Sequence, residues 1–406
     1  MSIVHNRDTC ICCGSPNLEL LLDLNSQPLA NSYHDNSTAL EEYPLSVNLC
    51  KNCYHIQLTH IVNPDLLFKN YLYVSGTTKT LRDYFEWFSN FVIDYVDIKI
   101  NNVLEIACND GSQLDCFLSK GISTYGVDPA ENLYKLSSKN HNVVCDYFNG
   151  NTFKDKKFDV VIAQNVFAHN ENARQFLNDC ADIMHEESYL FIQTSQAEMI
   201  ENNQFDTIYH EHISFFNTNS MNELAKRTSL DLTDSLKTPI HGTSYLFVFR
   251  KKIKEKKHGR NKYLKTLIEV ERSRGLLSDE LYYNYKRNVM DIVSGFRRTI
   301  QTYRDRGFKI IGYGAAAKGM TFLNFSQCSL DSIVDDNDLK HGSYTPGTNI
   351  LIQDSNSIGL YNEDDKLLFV PLAWNFYSEI KGRILNIRNN PQDRFLKYFP
   401  SITVEQ

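Results

Sequence analysis

The sequence lacks any hydrophobic run that approaches the roughly 20 apolar residues of a membrane-spanning helix. Its first residues, MSIVHNRDTC, also lack the charged-then-apolar order of a secretory signal peptide. Basic residues are not in excess, because 42 Lys and Arg stand against 49 Asp and Glu, a formal charge of -7. These absences predict a cytoplasmic protein with no general attraction for nucleic acid or for anionic membranes.

The chain is too long for one hydrophobic core, since domains usually contain about 100 to 200 residues and this chain has 406. Changes in sequence character predict three domains. We expect a metal-binding domain over residues 1–65, an α/β domain over 66–236 and a smaller α/β domain over 237–406.

Four of the ten cysteines form two Cys-x-x-Cys pairs, Cys10 with Cys13 and Cys50 with Cys53. Each pair offers two thiolates on one short turn, and two such turns complete a tetrahedral zinc site. Cys12 lies between two of these ligands and is interpreted as a bystander, with replacement of Cys13 as the alternative. Four thiolates leave no open coordination position, which indicates a structural zinc ion.

The stretch from Val103 to Ala130 reads as a strand, a turn, a helix and a second strand ending in Asp128. Further apolar runs alternate with helical segments beyond it and predict a mostly parallel sheet. The turn has no Gly-x-Gly-x-x-Gly dinucleotide fingerprint. It carries Glu105, Ala107, Asn109 and Gly111, nearer the turn of S-adenosylmethionine-dependent methyltransferases, in which a second-strand acid binds the ribose hydroxyls.

Two later strand ends also supply candidate binding residues, because the carboxyl ends of parallel strands meet at one edge. Asp146 follows the third run, where an acid could contact the adenine amine, although a solvated loop acid is equally consistent. Asn165 ends the fourth strand and is expected near the sulfonium group and the acceptor. His169 is interpreted as a capping or core histidine.

Groups that can move protons are concentrated in residues 205–216, FDTIYHEHISFF. Tyr209, His210, Glu211 and His212 lie within four positions, which indicates acid–base chemistry near neutral pH. A metal site is the weaker alternative, because His-x-His supplies only two ligands and is not the i, i+4 pair of helical zinc sites. A purely structural role for the histidines is also open.

A second strand, glycine turn and helix occurs in FKIIGYGAAAKGMTFLNF. We interpret its turn as exposed N–H groups at a helix start, with Lys318 as a candidate phosphate contact. It is a poor nicotinamide fingerprint. The strands that follow it predict a smaller Rossmann-like sheet in the C-terminal third.

Taken together, these segments resemble the S-adenosylmethionine-dependent C-methyltransferases that modify nucleotide-linked 4-keto-deoxyhexoses. The motifs that carry the resemblance over almost the full length are CICCGSP, LDLNSQPLANSY, NLCKNCYHIQL, YLYVSGTT, VLEIACNDGS, GVDPAENL, AQNVFAH, FDTIYHEHISFF, GYGAAAKGMTFLN, VDDN and PLAWNF. Two departures are Ala107, where glycine is usual, and the residues 193–196, QTSQ, where Glu-x-Pro is more common.

The resemblance implies a role for each matching residue. His212 would be the general base, with Tyr209 and Glu211 beside it, His210 as a neighbour, and Tyr73 closing over the sugar. The cofactor would be bound by Glu105, Ala107, Asn109, Gly111, Asp128, Pro129, Asp146 and Asn165. The substrate would be bound by Asn165 and Lys318, and the C-terminal domain would help to hold the nucleotide diphosphate.

The function that the resemblance implies is methyl transfer to C3 of a nucleotide-linked 4-keto-6-deoxy sugar, by a monomer or homodimer. One alternative is methylation of a sugar oxygen with the same cofactor. Another is a nicotinamide-dependent sugar dehydrogenase or epimerase, and a third is a noncatalytic zinc-ribbon interaction protein.

Overall fold

A computed structural model describes residues 3–35, 40–68, 74–252 and 261–406. Within this part of the chain the α-helices are α1 (Asp65–Phe68), α2 (Lys79–Tyr95), α3 (Ser112–Leu118), α4 (Glu131–Ser137), α5 (Ala173–Asp182), α6 (Thr218–Ala225), α7 (Asn261–Ser273), α8 (Asp279–Asp305), α9 (Ala317–Ser326) and α10 (Tyr377–Ile387). None of these described helices combines the length and apolar character that crossing a bilayer requires.

The described strands fall into four sheets. They are β1 (Val4–Asn6), β2 (Leu18–Pro28), β3 (Glu42–Cys50), β4 (Ile56–Leu58), β5 (His60–Val62), β6 (Asn102–Ile106), β7 (Ser123–Val127), β8 (Asn142–Val144), β9 (Phe158–Gln164), β10 (Met184–Ser195), β11 (Ser214–Phe215), β12 (Leu230–Thr238), β13 (Ser244–Lys251), β14 (Phe308–Tyr313), β15 (Ser332–Asp335), β16 (Ile352–Asp354), β17 (Lys366–Pro371), β18 (Arg394–Lys397) and β19 (Thr403–Glu405).

The chain divides into two units, each made of segments that are distant in sequence. The first contains residues 1–19, 48–197 and 213–278, and the second contains residues 20–47, 198–212 and 279–406. Both cysteine pairs belong to the first unit. Residues 209–212 belong to the second.

A seven-stranded sheet forms the centre of the first unit, in the order β12-β13-β10-β9-β6-β7-β8. Strands β8, β7, β6, β9 and β10 are parallel, whereas β13 and β12 are antiparallel additions at the β10 edge. Residues 160–163 of β9 are fully buried, as expected for a parallel strand covered on both faces. The predicted parallel α/β sheet is confirmed for these five strands.

The C-terminal strand β13 pairs with β10 along six residues, from Leu190 opposite Phe249 to Ser195 opposite Ser244. The central sheet therefore extends beyond residue 236, where the sequence predicted a domain boundary. Strand β13 lies in the third domain predicted from the sequence, but in the structure it is the second strand from one edge of the central sheet.

Short strands flank the cysteine pairs in the first unit. Strand β1 pairs with β5 in antiparallel register, with His5 opposite Ile61, and β4 pairs with β11. The side chain of Gln57 on β4 accepts a hydrogen bond from Ile11 N (2.8 Å) and donates one to Thr9 O (3.0 Å). These bonds connect the strand that follows the second cysteine pair to the loop of the first pair.

In the second unit, strands β16-β15-β14-β17-β18-β19 form a six-stranded sheet that is parallel except for β19. Its turn after β14 includes Gly314 at φ +88°, a left-handed conformation that glycine adopts without steric cost. The predicted Rossmann-like sheet in the C-terminal third is confirmed.

The carboxylate of Glu271 connects three elements of the first unit. It lies on α7, is 4 % exposed, and accepts hydrogen bonds from Thr218 N (2.7 Å), Asn219 N (3.1 Å) and the Tyr245 hydroxyl (2.8 Å). Two free N–H groups at the start of α6 are thereby satisfied.

We expect Glu271→Gln to lower the free energy of unfolding by about 2 kcal/mol, because an amide NH₂ cannot accept from an N–H and charge-assisted bonds are lost. The measurement is the urea midpoint and slope. Glu269→Gln is the matched control on the same helix, since its exposed pair with Arg272 contributes at most about 0.5 kcal/mol. Equal midpoints for the two variants would contradict the capping role.

Candidate functional site

A cavity of about 400 Å³ lies where the strands β6, β7, β9 and β10 end. Glu105, Asp128, Gln164 and Gln193 all line it and come from or directly follow these four strands. Parallel pairing places the strand ends together, with Gln193 opposite Gln164. The cavity therefore occupies the edge at which the sequence predicted a ligand.

The structure brings together six of the eight residues expected to bind the cofactor. The residues that line the cavity are Glu105, Ala107, Asn109, Asp128, Pro129 and Asn165. Gly111 and Asp146 are not lining residues. Gly111 begins α3 at φ +86°, and a Cβ atom there would be 2.8 Å from the His141 ring, so close packing explains this glycine.

Asp146 is exposed, and its carboxylate accepts a hydrogen bond from the N–H of Tyr147. The two following residues, Tyr147 and Phe148, line the cavity instead. The segment after β8 thus contributes the rings of Tyr147 and Phe148 to the cavity, whereas Asp146 bonds to the adjacent backbone there.

The turn after β6 is held in an uncommon backbone conformation. Ala107 and Asn109 have φ values of 59° and 51°, and Asn165 after β9 has 55°. This left-handed region is disfavoured for residues with a Cβ atom. Asp128 supports the turn, because its Oδ2 accepts from Asn109 N and its Oδ1 from Ala130 N, both at 2.9 Å.

Acidic side chains dominate the electrostatics of the cavity. Glu105, Asp110, Asp128 and Glu171 line it, and no lysine or arginine among the described residues does so. Burial and the neighbouring Asp110 and Asp128 raise the pKa of Glu105 well above its usual range, and burial also raises the pKa of Asp128. A ligand with positive charge would relieve both effects, whereas an anionic diphosphate would oppose them.

Three amide side chains that line the cavity, Gln113, Gln164 and Gln193, take part in hydrogen bonds around it. Gln113 donates to Phe85 O (3.2 Å), and Gln164 donates to Gln113 Oε1 (3.0 Å). Tyr84 donates to Gln193 Oε1, so the Gln193 amide nitrogen and Gln164 Oε1 have no partner among the described residues. The unusual 193–196 segment therefore begins with a residue that presents a donor to the cavity.

His169 also lines the cavity, and its ring stacks on Phe68 with a centroid distance of 5.4 Å and an angle of 11°. Burial lowers its pKa to about 4, so the ring is neutral at pH 7. The sequence interpretation of His169 as a core histidine missed this position.

The four predicted zinc ligands form one cluster. The Sγ atoms of Cys10, Cys13, Cys50 and Cys53 all lie within 4.8 Å of one another, with 3.6 Å between Cys10 and Cys53 and 3.5 Å between Cys13 and Cys50. Zn–S bonds of about 2.3 Å place tetrahedral sulfurs about 3.8 Å apart, so the cluster fits a zinc ion. Cys12 is outside the cluster, as predicted.

A single basic side chain contacts the backbone of the first cysteine pair. Arg227 donates to Cys12 O at 3.1 Å and lies against Gly14, where a Cβ atom would be 2.6 Å from its Nη1. Four thiolates around Zn²⁺ carry a net charge of −2, which a nearby guanidinium stabilises.

In the second unit, residues 205–212 form turns and no regular strand. His212 Nδ1 lies 2.8 Å from Thr207 O, and its Nε2 lies 3.0 Å from the Tyr209 hydroxyl. A carbonyl can only accept, so the proton resides on Nδ1 and the lone pair on Nε2. The fold therefore leaves Nε2 as the basic atom.

His210 is held differently, since its Nε2 lies 3.2 Å from Tyr43 O and its Nδ1 is buried with no partner among the described residues. Burial lowers its pKa to about 4. The neighbouring Glu211 accepts from Asn31 Nδ2 at 2.5 Å, and burial raises its pKa to about 7. Asn31 was not identified from the sequence.

Lys318 lies in the same unit, with Nζ 5.0 Å from the centre of the Trp374 ring. The Trp374 indole donates to Asp206 Oδ2 at 2.6 Å, and Asp206 is fully buried. Burial raises the pKa of Asp206 to about 6, while the charge of Lys318 opposes that rise. Lys318 thus has a carboxylate neighbour that sequence reasoning missed.

The turn after β14 differs from its prediction as an exposed anion site. Its N–H groups at 314, 315 and 316 donate to Val334 O, Asp335 Oδ2 and Gly314 O. The carbonyl of Ala315 accepts from Tyr33 (2.5 Å) and Lys340 (2.8 Å). The N–H groups of residues 314–316 are therefore occupied, and α9 itself begins at Ala317.

Tyr73, the remaining predicted site residue, lies outside the described residues.

Comparisons with known proteins cover almost the whole chain. Three family models match in succession: a zinc binding domain over residues 10–68, a methyltransferase domain over 68–235 and a C-methyltransferase C-terminal domain over 239–400. C-methyltransferase NovU of Streptomyces niveus is 27 % identical over 394 residues, which are 93 % of this chain and 92 % of NovU.

Solved structures are similar to part of the chain. The magnesium protoporphyrin IX methyltransferase of Synechocystis PCC 6803 with bound SAM is 11 % identical, with 42 % of this chain and 79 % of that chain covered and a TM-score of 0.33. The PH0226 protein of Pyrococcus horikoshii OT3 is 18 % identical, with 47 % and 97 % covered and a TM-score of 0.37.

The zinc ligands are tested by metal analysis of two adjacent substitutions. We expect Cys13→Ser to lose most of the bound zinc and to unfold at lower temperature, because three thiolates hold the ion less tightly. Cys12→Ser is the matched control and should retain one zinc per chain. Loss of zinc from the Cys12 variant with retention in the Cys13 variant would reverse the assignment.

The cofactor acid is tested by calorimetric titration with S-adenosylhomocysteine. We expect Asp128→Asn to raise the dissociation constant about 100-fold, because two charge-assisted hydrogen bonds to ribose contribute roughly 1.5 to 3 kcal/mol each. Asp146→Asn should bind as the wild type does, since Asp146 lies outside the cavity. A large effect at Asp146 alone would show that this acid, and not Asp128, contacts the cofactor.

Proposed function

Because the chain belongs to the S-adenosylmethionine-dependent C-methyltransferases with an N-terminal zinc-binding domain, we propose that it methylates C3 of a nucleotide-linked 4-keto-6-deoxy sugar, with His212 as the base. S-adenosylmethionine and a structural zinc ion are its cofactors. When bound, S-adenosylmethionine supplies an electrophilic methyl group on a sulfonium centre.

The observation that carries the proposal is the tautomer of His212. Its Nδ1–H is directed to Thr207 O, so Nε2 can accept the proton from C3. His210 has the opposite tautomer, because its Nε2 donates to Tyr43 O, and burial lowers its pKa to about 4, which makes its Nδ1 a weaker base than an ordinary imidazole. We therefore prefer His212 to His210 as the base.

A ketone acidifies the hydrogen on the neighbouring carbon, but imidazole removes it only if the enolate oxygen is stabilised. The Tyr209 hydroxyl donates to the Nε2 lone pair across 3.0 Å, and we assign it to the enolate oxygen once the bound sugar replaces this hydrogen bond. Proton transfer from C3 to Nε2 would leave the electron pair in the enolate. Attack of C3 on the sulfonium methyl would then form the carbon–carbon bond as the S–CH3 bond breaks, and sulfur would keep that bond's electron pair in the departing S-adenosylhomocysteine. Positioning of the two reactants supplies much of the rate.

Glu211 does not orient His212 through Nδ1, since Thr207 O occupies that position. Its buried carboxyl accepts one bond from Asn31 and is available for a sugar hydroxyl. Lys318, beside Asp206 and Trp374, stays a candidate for the diphosphate.

Ile213, the residue that follows His212 in the sequence, lines the cavity. The acidic lining favours a cationic cofactor over a nicotinamide dinucleotide. The closed turn at residues 314–316 also disfavours a dinucleotide in the second unit. A cytoplasmic location, a monomeric or dimeric state and the absence of nucleic-acid binding stay predictions.

Proton abstraction is tested in heavy water without the methyl donor, by mass spectrometry of a panel of nucleotide-linked 4-keto sugars. We expect the wild type to incorporate one deuterium at C3 and, once S-adenosylmethionine is added, to increase the sugar mass by one methyl group. Methylation with no exchange at C3 and with the new group on oxygen would favour the O-methyltransferase alternative.

His212→Asn should reduce both exchange and turnover by about 1,000-fold, a usual contribution of a general base. Its affinity for S-adenosylhomocysteine should remain within about two-fold of the wild type, because Asn does not alter the acidic cavity. His185→Asn is the control, since His185 bonds to Asp159 far from these residues in sequence. Full activity of the His212 variant would place the base elsewhere.

A further inference from the structure

One wall of the cofactor cavity is formed by the segment that follows the second cysteine pair. The apolar lining residues of this segment, which we call the zinc-module wall, are Ile61, Val62, Pro64, Leu67 and Phe68. Ile61 and Val62 are each 1 % exposed. The zinc-binding module thus contributes side chains to a site that the methyltransferase sheet alone would leave open on one side.

The wall is connected to the segment of the first cysteine pair by hydrogen bonds and to the second pair by the chain itself. Strand β5, which contains Ile61 and Val62, pairs with β1, and Arg7 N donates to Thr59 O at 2.9 Å. Gln57 joins the intervening strand to residues 9 and 11 beside Cys10. We call the turn that carries each cysteine pair a knuckle. Only seven residues separate Cys53 from Ile61, so a displacement of either knuckle is transmitted to the wall.

The wall and the residues that pair with it also contact loops that line the cavity. The Glu171 carboxylate lies 3.0 Å from His5 Nε2, and its carbonyl accepts from Arg7 at 3.0 Å. Phe68 stacks on His169. Ile213 donates to Ala168 O (2.8 Å) and accepts from Leu58 N (2.9 Å).

The zinc site and the cofactor cavity are therefore linked through one continuous set of bonds. Without zinc, four thiolates spaced 3.5 to 3.6 Å apart in pairs lose the ion that holds the two knuckles together. The strands between the knuckles and the cavity would then lose their fixed position, and the cavity would lose its apolar side. Linkage requires that the same coupling operates in reverse.

We infer that zinc and S-adenosylmethionine bind cooperatively, because the zinc-module wall is part of the cofactor site. This inference rests on the cavity being the cofactor site. Zinc then has a role in cofactor affinity in addition to holding the N-terminal segment together, and loss of zinc lowers methyl-donor binding before any catalytic group is removed.

The coupling is tested on the full chain by following zinc release to a chromogenic chelator, with S-adenosylhomocysteine as the probe. We expect saturating probe to slow zinc release at least about five-fold, the lower limit of usual coupling factors. The converse measurement is calorimetric titration of zinc-depleted protein, which should bind the probe at least about five-fold more weakly than zinc-loaded protein.

Two substitutions on α1 distinguish loss of a wall side chain from a general loss of stability. Phe68→Ala should retain one zinc per chain, bind the probe about five-fold more weakly and show a smaller effect of the probe on zinc release. Leu66→Ala is the matched control, because Leu66 is 51 % exposed on the same helix and does not line the cavity.

Each outcome is decisive. Zinc release that is unchanged by a probe shown to bind zinc-loaded protein would overturn the coupling and leave the cofactor site intact. Failure of zinc-loaded protein to bind the probe at all would overturn the cofactor site and the coupling with it. Equal weakening by Phe68→Ala and Leu66→Ala would show that the wall acts only through stability of the fold.

Discussion

Burying a carboxylate without a basic partner is unfavourable unless donors or a bound cation compensate for lost hydration. Glu105 and Asp128 are both buried at the ends of neighbouring parallel strands, in a cavity to which no described lysine or arginine contributes. Asp128 is compensated by two backbone N–H groups, but Glu105 Oε2 has no partner among the described residues. Burial therefore favours the protonated form of Glu105, and a cationic ligand in the cavity would stabilise its ionised form.

The second unit uses a different arrangement to position its reactive groups. Segments that are far apart in the sequence fix the turns of residues 205–212: Asn31 reaches Glu211, Tyr43 reaches His210 and Trp374 reaches Asp206. Each contact involves either a backbone carbonyl or a buried carboxylate, so the turns have few alternative conformations. A histidine tautomer can be maintained by such a segment even though it has no regular secondary structure.

The sequence predicted those parts of the molecule that depend on local spacing. Two Cys-x-x-Cys turns determine their own zinc geometry, and an acid after an apolar strand indicates a strand end whatever surrounds it. Asn31 and Trp374 could not be predicted, because their partners lie 180 and 168 residues away and nothing in the local pattern indicates the pairing. The contacts of the turn at residues 314–316 could not be predicted for the same reason, since they depend on where Asp335, Tyr33 and Lys340 point.

The left-handed backbone at Ala107, Asn109 and Asn165 affects how the cavity accepts a ligand. Each such residue costs roughly 1 to 2 kcal/mol relative to an ordinary conformation, and this cost is present in the folded protein before anything binds. A loop held this way by Asp128 has already lost its freedom, so association requires little additional ordering of the rim. Ala107 stands where the resembling family usually has glycine, and its methyl group further restricts the backbone conformations that this turn can adopt. We therefore expect the turn of residues 107–109 to change its conformation little when the methionine part of the cofactor binds.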